Sequence, residues 1–217
     1  MNAAEYDAWY DTARGKWIGE TEYSLILKRL QPTPGDQLLD VGCGTGWFTR
    51  KLSGLPGVKI TGIDIDQDAL AFARARDPLS IYMTADGRQL PFHDKQFDRV
   101  VSITALCFVD PWESALAEIV RVSSRRFVIG LLNRNSLLWR SKGQHGGTGA
   151  YSGAYWHTAK ELRIALAQLP VSNITIDSAV FLPDGSGFAR FAEKVLPSSL
   201  PFGSFLLVSG DRATSQV

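Results

Sequence analysis

Three alternating glycines, Gly42, Gly44 and Gly46, stand between an apolar run (Leu38, Leu39, Val41) and a helically spaced pair, Phe48 and Leu52. Strand, glycine turn and helix make a corner of bare backbone that a ligand can approach closely. Further on, Asp64 closes the apolar segment VKITGIDID, at the strand edge that would also carry the turn. A carboxylate there can accept two hydrogen bonds from ribose hydroxyls. Glycine turn and acid together are the chemistry of a nucleotide-type ligand. A dinucleotide fold needs G-x-G-x-x-G, because the third glycine lets helix and strand pack closely around a diphosphate. Trp47 stands where that third glycine belongs, and an indole blocks the approach. The spacing suits instead a ligand without phosphate, whose amino-acid end lies along the open backbone.

LDVGCGTGWFTRKL resembles motif I of the class I S-adenosylmethionine-dependent methyltransferases, in the branch of the ubiquinone/menaquinone-type (methyltransferase type 11-like) enzymes. The resemblance runs well from Glu5 to Arg140 and weakly beyond. It implies an α/β, doubly wound, Rossmann-like fold with a seven-stranded mixed sheet and an antiparallel last strand. It also implies S-adenosyl-L-methionine as cofactor and in-line methyl transfer to a small-molecule acceptor. The cofactor would run along Asp40, Gly42, Cys43, Gly44, Thr45 and Gly46, with Asp64 and Ile65 at the ribose. In this family an acid at the position of Asp86 receives the adenine amino group, and the backbone N–H of Gly87 meets a ring nitrogen. Adenine offers a donor and an acceptor side by side, which that pair complements. Thr104, at the end of the strand entered by Phe97 and Asp98, would pass the methionine end. N-terminal helices in the family cover the cofactor and wall the acceptor pocket, which makes Tyr10 and Arg14 candidates for the methionine carboxylate. Where many relatives carry a histidine pair this chain has Cys107-Phe108, so no base is expected from that point.

The elements that must hold these residues follow from periodicity. Ile18, Leu25, Ile26 and Leu30 share a helical face ahead of the first strand. Asp66 reads as a helix cap before Ala69, Phe72 and Ala73, and Asp110-Pro111 as a cap with proline at the first helical position. Trp112, Ala115, Leu116, Ile119 and Val120 repeat on one helical face. Arg121, Arg125 and Arg126 read as a solvated edge. RRFVIGLLN delivers Asn133 to the carboxyl edge, where ligands bind in open α/β sheets. The segment that follows interleaves glycines with Tyr151, Tyr155, Trp156, His145 and His157, and reads either as a mobile loop closing over the acceptor or as a docked crossover. His145 or His157 could take a proton from an acidic hydroxyl or thiol, and with Asn133 they are the weak candidates for catalysis. Thr158 and Glu161 form a capping box. VSNITIDSAVF and GSFLLVSG should finish the sheet, with GFARFAEKV between them as helix or strand. One domain is expected over 1–217: an N-terminal helical cover (1–35), a cofactor-binding core (36–132), a loop or lid (133–157) and a C-terminal helix with strands (158–217).

The chain has 217 residues and a formal charge of +1, so no broad field marks nucleic acid as a partner. Its apolar runs are too short to span a bilayer, and the first residues lack a signal-peptide pattern. Two cysteines, Cys43 and Cys107, make no disulfide framework, and a cytoplasmic location is expected. The strands they follow would be neighbours, yet a disulfide is not expected. Neither they nor His93 has metal-ligand spacing, so no metal is expected. A non-catalytic S-adenosylmethionine-binding protein and, behind it, a nucleotide-dependent oxidoreductase stay open as alternatives. O-, N-, S- and C-methylation stay equally open, as does the oligomeric state.

Overall fold

The computed structural model describes residues 2–213; Met1 and residues 214–217 lie outside them. Seven strands form one sheet: β1 (Gln37–Val41), β2 (Lys59–Asp64), β3 (Ile81–Thr84), β4 (Phe97–Ile103), β5 (Ser123–Leu132), β6 (Val171–Ala179) and β7 (Phe205–Arg212). Their spatial order is β3-β2-β1-β4-β5-β7-β6. β7 runs antiparallel to both of its neighbours, and the other pairings are parallel. The order reverses between β1 and β4, which opens a crevice at the carboxyl ends of these strands.

Alternation along β1 shows how the sheet divides its core. Leu38 faces one hydrophobic cluster and Leu39 the other, as successive strand side chains must. On the Leu38 side lie α2 (Ala13–Leu30) and α3 (Trp47–Ser53), with Ile26, Leu30 and Leu52 fully buried. On the Leu39 side lies α5 (Trp112–Val122), which buries Ala115, Leu116, Ile119 and Val120. The helix α4 (Gln67–Arg76) begins at Asp66, whose carboxylate accepts from the amides of Asp68 and Ala69. α6 (Ala159–Leu166) carries the Thr158–Glu161 capping box. GFARFAEKV is a helix, α7 (Gly187–Val195).

Two local expectations need correction. Pro111 is not the first helical residue: α5 starts at Trp112 and Asp110 makes no side-chain cap. Instead the Asp110 carbonyl accepts from Arg88. The three arginines form a solvated edge only in part: Arg125 is exposed, whereas Arg121 and Arg126 are half-buried. Arg121 pairs with Glu118 and Asp94, Arg125 with Asp98, and Arg126 with Asp211.

The first helix, α1 (Ala3–Trp9), is bolted across the glycine turn by a buried acid. Asp7, 3% exposed, accepts from Arg50 at 2.7 Å and from Arg76 at 3.0 Å, so one carboxylate joins α1 to α3 and α4. At the other end, Arg29 of α2 holds Asp177 of β6 through two hydrogen bonds of 2.6 and 2.8 Å.

Candidate functional site

The glycine turn is locked by backbone bonds. The amides of Gly42 and Cys43 both donate to the Ile63 carbonyl at 2.8 and 2.9 Å, and Gly46 donates to Cys43. Gly42 has φ +76°, and a methyl group on it would lie 2.2 Å from the Ala105 Cβ. The loop after β4 therefore packs flush against the turn, and only glycine fits. Trp47 turns away from the sheet, stacks on Tyr10 at 4.3 Å between centroids and fills the space over Gly19. That explains how a large residue occupies the place of a dinucleotide fold's third glycine.

A cleft of about 760 Å³ opens over this turn, a size usual for small-molecule sites. Every residue that the sequence marks for the cofactor lines it except Gly46, which sits behind the turn against the Tyr82 hydroxyl. Asp64 takes part in the scaffold as well as the lining: its two carboxylate oxygens accept from the amides of Gly44 at 2.7 Å and Asp66 at 2.9 Å. Asp86 forms a hydrogen-bonded pair with Arg88, whose cation holds the carboxyl below its usual range. Asp40 is 2% exposed and accepts from the Thr49 hydroxyl at 2.6 Å. Burial, with the nearby Asp64 charge, pushes its carboxyl up to about 7. Thr104 takes a left-handed backbone, φ +55°. A β-branched residue in that region is an outlier, and such strain gathers at ligand sites.

Three features fit an adenosyl amino acid. Thr45 lines the cleft, and its hydroxyl is buried with no hydrogen-bond partner, an unmet bond that costs free energy. Ile65 and Phe108 line the cleft with 68% and 56% of their surface exposed, apolar area suited to a flat ring. No phosphate-binding cluster of cations lines the turn: Arg50 donates to the Thr45 carbonyl and to Asp7.

Tyr10 lines the cleft, and Arg14 does so while its Nε donates to the Pro183 carbonyl at 2.6 Å. The three candidates for catalysis lie elsewhere. Asn133 spends its amide on the carbonyls of Pro201 and Gly203. His145 is exposed on a turn outside the cleft lining. His157 is fully buried between the rings of Trp112 and Tyr155, and burial pushes its imidazole down to about 4. Of Tyr151, Tyr155 and Trp156, Tyr151 alone lines the cleft; Trp156 is core and Tyr155 bonds Glu161. Residues 155–157 are docked by backbone bonds to Cys107 and Leu132.

Cys43 packs beside Tyr82, and Cys107 accepts from the Leu132 amide; both thiols are free. Among the described residues no cluster of three or more His, Cys, Asp or Glu is placed to hold a metal, and no helix is long and apolar enough to cross a membrane. Sequence reasoning missed Glu22, which lines the cleft one turn beyond Ile18. The spacing Arg14, Ile18, Glu22 was the available signal, one residue per turn on a single face.

Residues 39–126 match the family described as a methyltransferase domain. An uncharacterized protein of Mycobacterium tuberculosis is 36% identical over 174 residues, 76% of this chain and 57% of that protein, so the chain spans little more than half its length. An uncharacterized protein of Methanocaldococcus jannaschii is 30% identical over 82% of this chain and 83% of its own. Among solved structures, an S-adenosylmethionine-dependent methyltransferase from Thermotoga maritima superposes with a TM-score of 0.75, at 22% identity over 96% of this chain and 95% of that one. These matches do not single out the ubiquinone/menaquinone-type branch. Sheet order, glycine turn and family match agree: this chain belongs to the class I S-adenosylmethionine-dependent methyltransferases.

Proposed function

We propose that this chain transfers a methyl group from S-adenosylmethionine to a small-molecule acceptor. One observation carries the reading: the glycine turn, Asp64, Asp86 and the N-terminal aromatics meet in a single cleft, with an unpartnered Thr45 hydroxyl at the turn. In this reading Gly42 to Thr45 hold the amino-acid end, Asp64 the ribose hydroxyls, and Asp86 with the Gly87 amide the adenine edge. Ile65 and Phe108 flank the ring, and Thr104 borders the methionine end. When bound, the cofactor supplies a methyl group on a positively charged sulfur. The chain's own contribution is to align the acceptor and keep water out, and alignment alone supplies effective molarities on the order of 10⁵ M in favourable cases.

Calorimetry with S-adenosylhomocysteine tests the site. Asp64→Ala removes a charged acceptor from two hydroxyls, so affinity should fall by roughly tenfold to a hundredfold. Unchanged affinity would remove Asp64 from the site. Because His145, His157 and Asn133 lie outside the cleft, a binding protein without turnover is the rival reading. Labelled methyl transfer to a compound in a cell extract, followed by mass spectrometry of the product, separates the two.

A further inference from the structure

Glu22 is a carboxyl without a partner. It lies on the cleft-lining face of α2 with Arg14 and Ile18, each step four residues or about 6 Å along the helix. Among the described residues it receives no hydrogen bond and meets no cation within ion-pair distance, whereas Arg14 is anchored two turns back on Pro183. The groups that face it come from four directions. Tyr6 stands on α1, Tyr10 follows α1, Tyr151 comes from the 149–151 turn, and Glu193 comes from α7. The charge of Glu22 helps push all three phenols up. Glu193 accepts from the amides of Val180 and Phe181 at 2.9 and 3.0 Å. Burial, and then that like charge, push Glu22 up to about 8.

A carboxyl in this setting lacks one thing, a positive charge. A neutral hydroxyl on the ligand would leave the ionised form uncompensated, whereas a cation would compensate it. The surroundings suit a cation too, since aromatic rings attract organic ammonium groups. Tyr6, Trp9, Tyr10 and Tyr151 all line this end of the cleft.

We propose that the methyl acceptor is an amine, bound as its ammonium form against the Glu22 carboxylate within the aromatic end of the cleft. The inference rests on the methyltransferase reading and names the acceptor class. An ammonium nitrogen has no free electron pair, so Glu22 has a second task. An N–H bond breaks with its pair left on nitrogen, and the proton passes to the Glu22 carboxylate. The freed pair forms the nitrogen–carbon bond, while the carbon–sulfur pair leaves with sulfur. One positive charge moves from sulfur to nitrogen, and the proton stays on Glu22.

The test uses the full chain with S-adenosylhomocysteine, 2-phenylethylamine as cationic probe and 2-phenylethanol as its neutral counterpart. Calorimetry near pH 7 in two buffers of different ionisation enthalpy counts the protons released. Glu22 starts mostly protonated and ends paired, so binding of the amine should release close to one proton. The amine should bind at least about tenfold more tightly than the alcohol. Glu22→Gln should abolish both the preference and the proton release, with S-adenosylhomocysteine affinity kept within about twofold; Glu22→Asp should restore part of each. The proton count in the native chain needs no variant. Equal affinity for amine and alcohol, no amine binding, or a preference that survives Glu22→Gln would overturn the proposal. Failure of the native chain to bind S-adenosylhomocysteine would instead strike the methyltransferase reading itself.

Discussion

Gly42→Ala separates backbone strain from crowding at the turn. Two costs can be worked out from the structure. At φ +76° an L-residue pays about 1–2 kcal/mol for the left-handed backbone. Its methyl group would also lie 2.2 Å from the Ala105 Cβ, far inside contact distance, and such overpacking costs about 1–3 kcal/mol more. The sum, about 2–5 kcal/mol, should lower Tm by roughly 5–15 °C for a chain of this size. It should also weaken S-adenosylhomocysteine, because the displaced turn carries Thr45 and the Gly44 amide that Asp64 holds. Ala105→Gly removes the atom that is struck. On its own it should cost no more than about 1 kcal/mol. Combined with Gly42→Ala it should restore the crowding share and leave the strain. Thermal unfolding and calorimetry on the four proteins of this cycle read both quantities. If Gly42→Ala leaves Tm and affinity unchanged, or if Ala105→Gly recovers nothing, the close approach is not what selects glycine here.

The Asp40 contribution to stability should fall as pH rises from about 4 to 7, against the rise that buried His157 contributes between about 4 and 6.5. Asp40 releases its proton near 4 when unfolded but holds it to about 7 when folded, so the unfolded state binds fewer protons in that window. Asp40→Asn keeps an acceptor for Thr49 and should add ~2–4 kcal/mol above that window, leaving the slope that Glu22 carries on to about 8; urea titrations showing no pH-dependent gain would contradict this. Cys43 should be inert, since burial pushes its thiol far up and Asp40 and Asp64 push it further. Cys43→Ser should keep S-adenosylhomocysteine affinity within a few-fold, and rapid alkylation of the native thiol would refute a packing role. Gly147→Ala places a methyl group 2.0 Å from the Tyr151 carbonyl at φ +81°. It should displace Tyr151 and weaken acceptor-side probes while sparing the cofactor, and equal losses on both sides would count against that division.

How far the sequence alone carries the reader depends on whether a residue's meaning is local. Gly42, Gly44 and Gly46 declare a backbone requirement by their type, and Asp66 and Thr158 declare caps by position, so the cofactor side was legible. The seven-stranded mixed sheet with its antiparallel last strand followed from the resemblance and stands. His145 and His157 misled because side-chain type says nothing of burial: one is exposed on a turn, the other is sealed between two rings. Asp110-Pro111 has a helix-start pattern, yet the Asp110 carbonyl bonds Arg88, 22 residues earlier. Glu22 is the reverse case. In sequence it is an ordinary helical glutamate, and its significance lies in the absence of any partner, which only the packed structure displays.

The bolts that hold α2 have a bearing on how the molecule comes into being. α2 buries Ile26 and Leu30 in the same cluster as Val128 of β5 and Leu207 of β7, and Arg29 binds Asp177 of β6. All of those partners are made long after α2. During synthesis, which runs from the N-terminus, α2 therefore waits for these partners until the final hairpin is complete, while α1 already has Arg50 and Arg76 for Asp7. The glycine turn and its strands, by contrast, have most of their partners by residue 132. A nascent chain could thus shape the cofactor side before the acceptor side exists. Ribosome-stalled chains ending near residue 170 would then protect the turn from protease while leaving α2 open to cleavage.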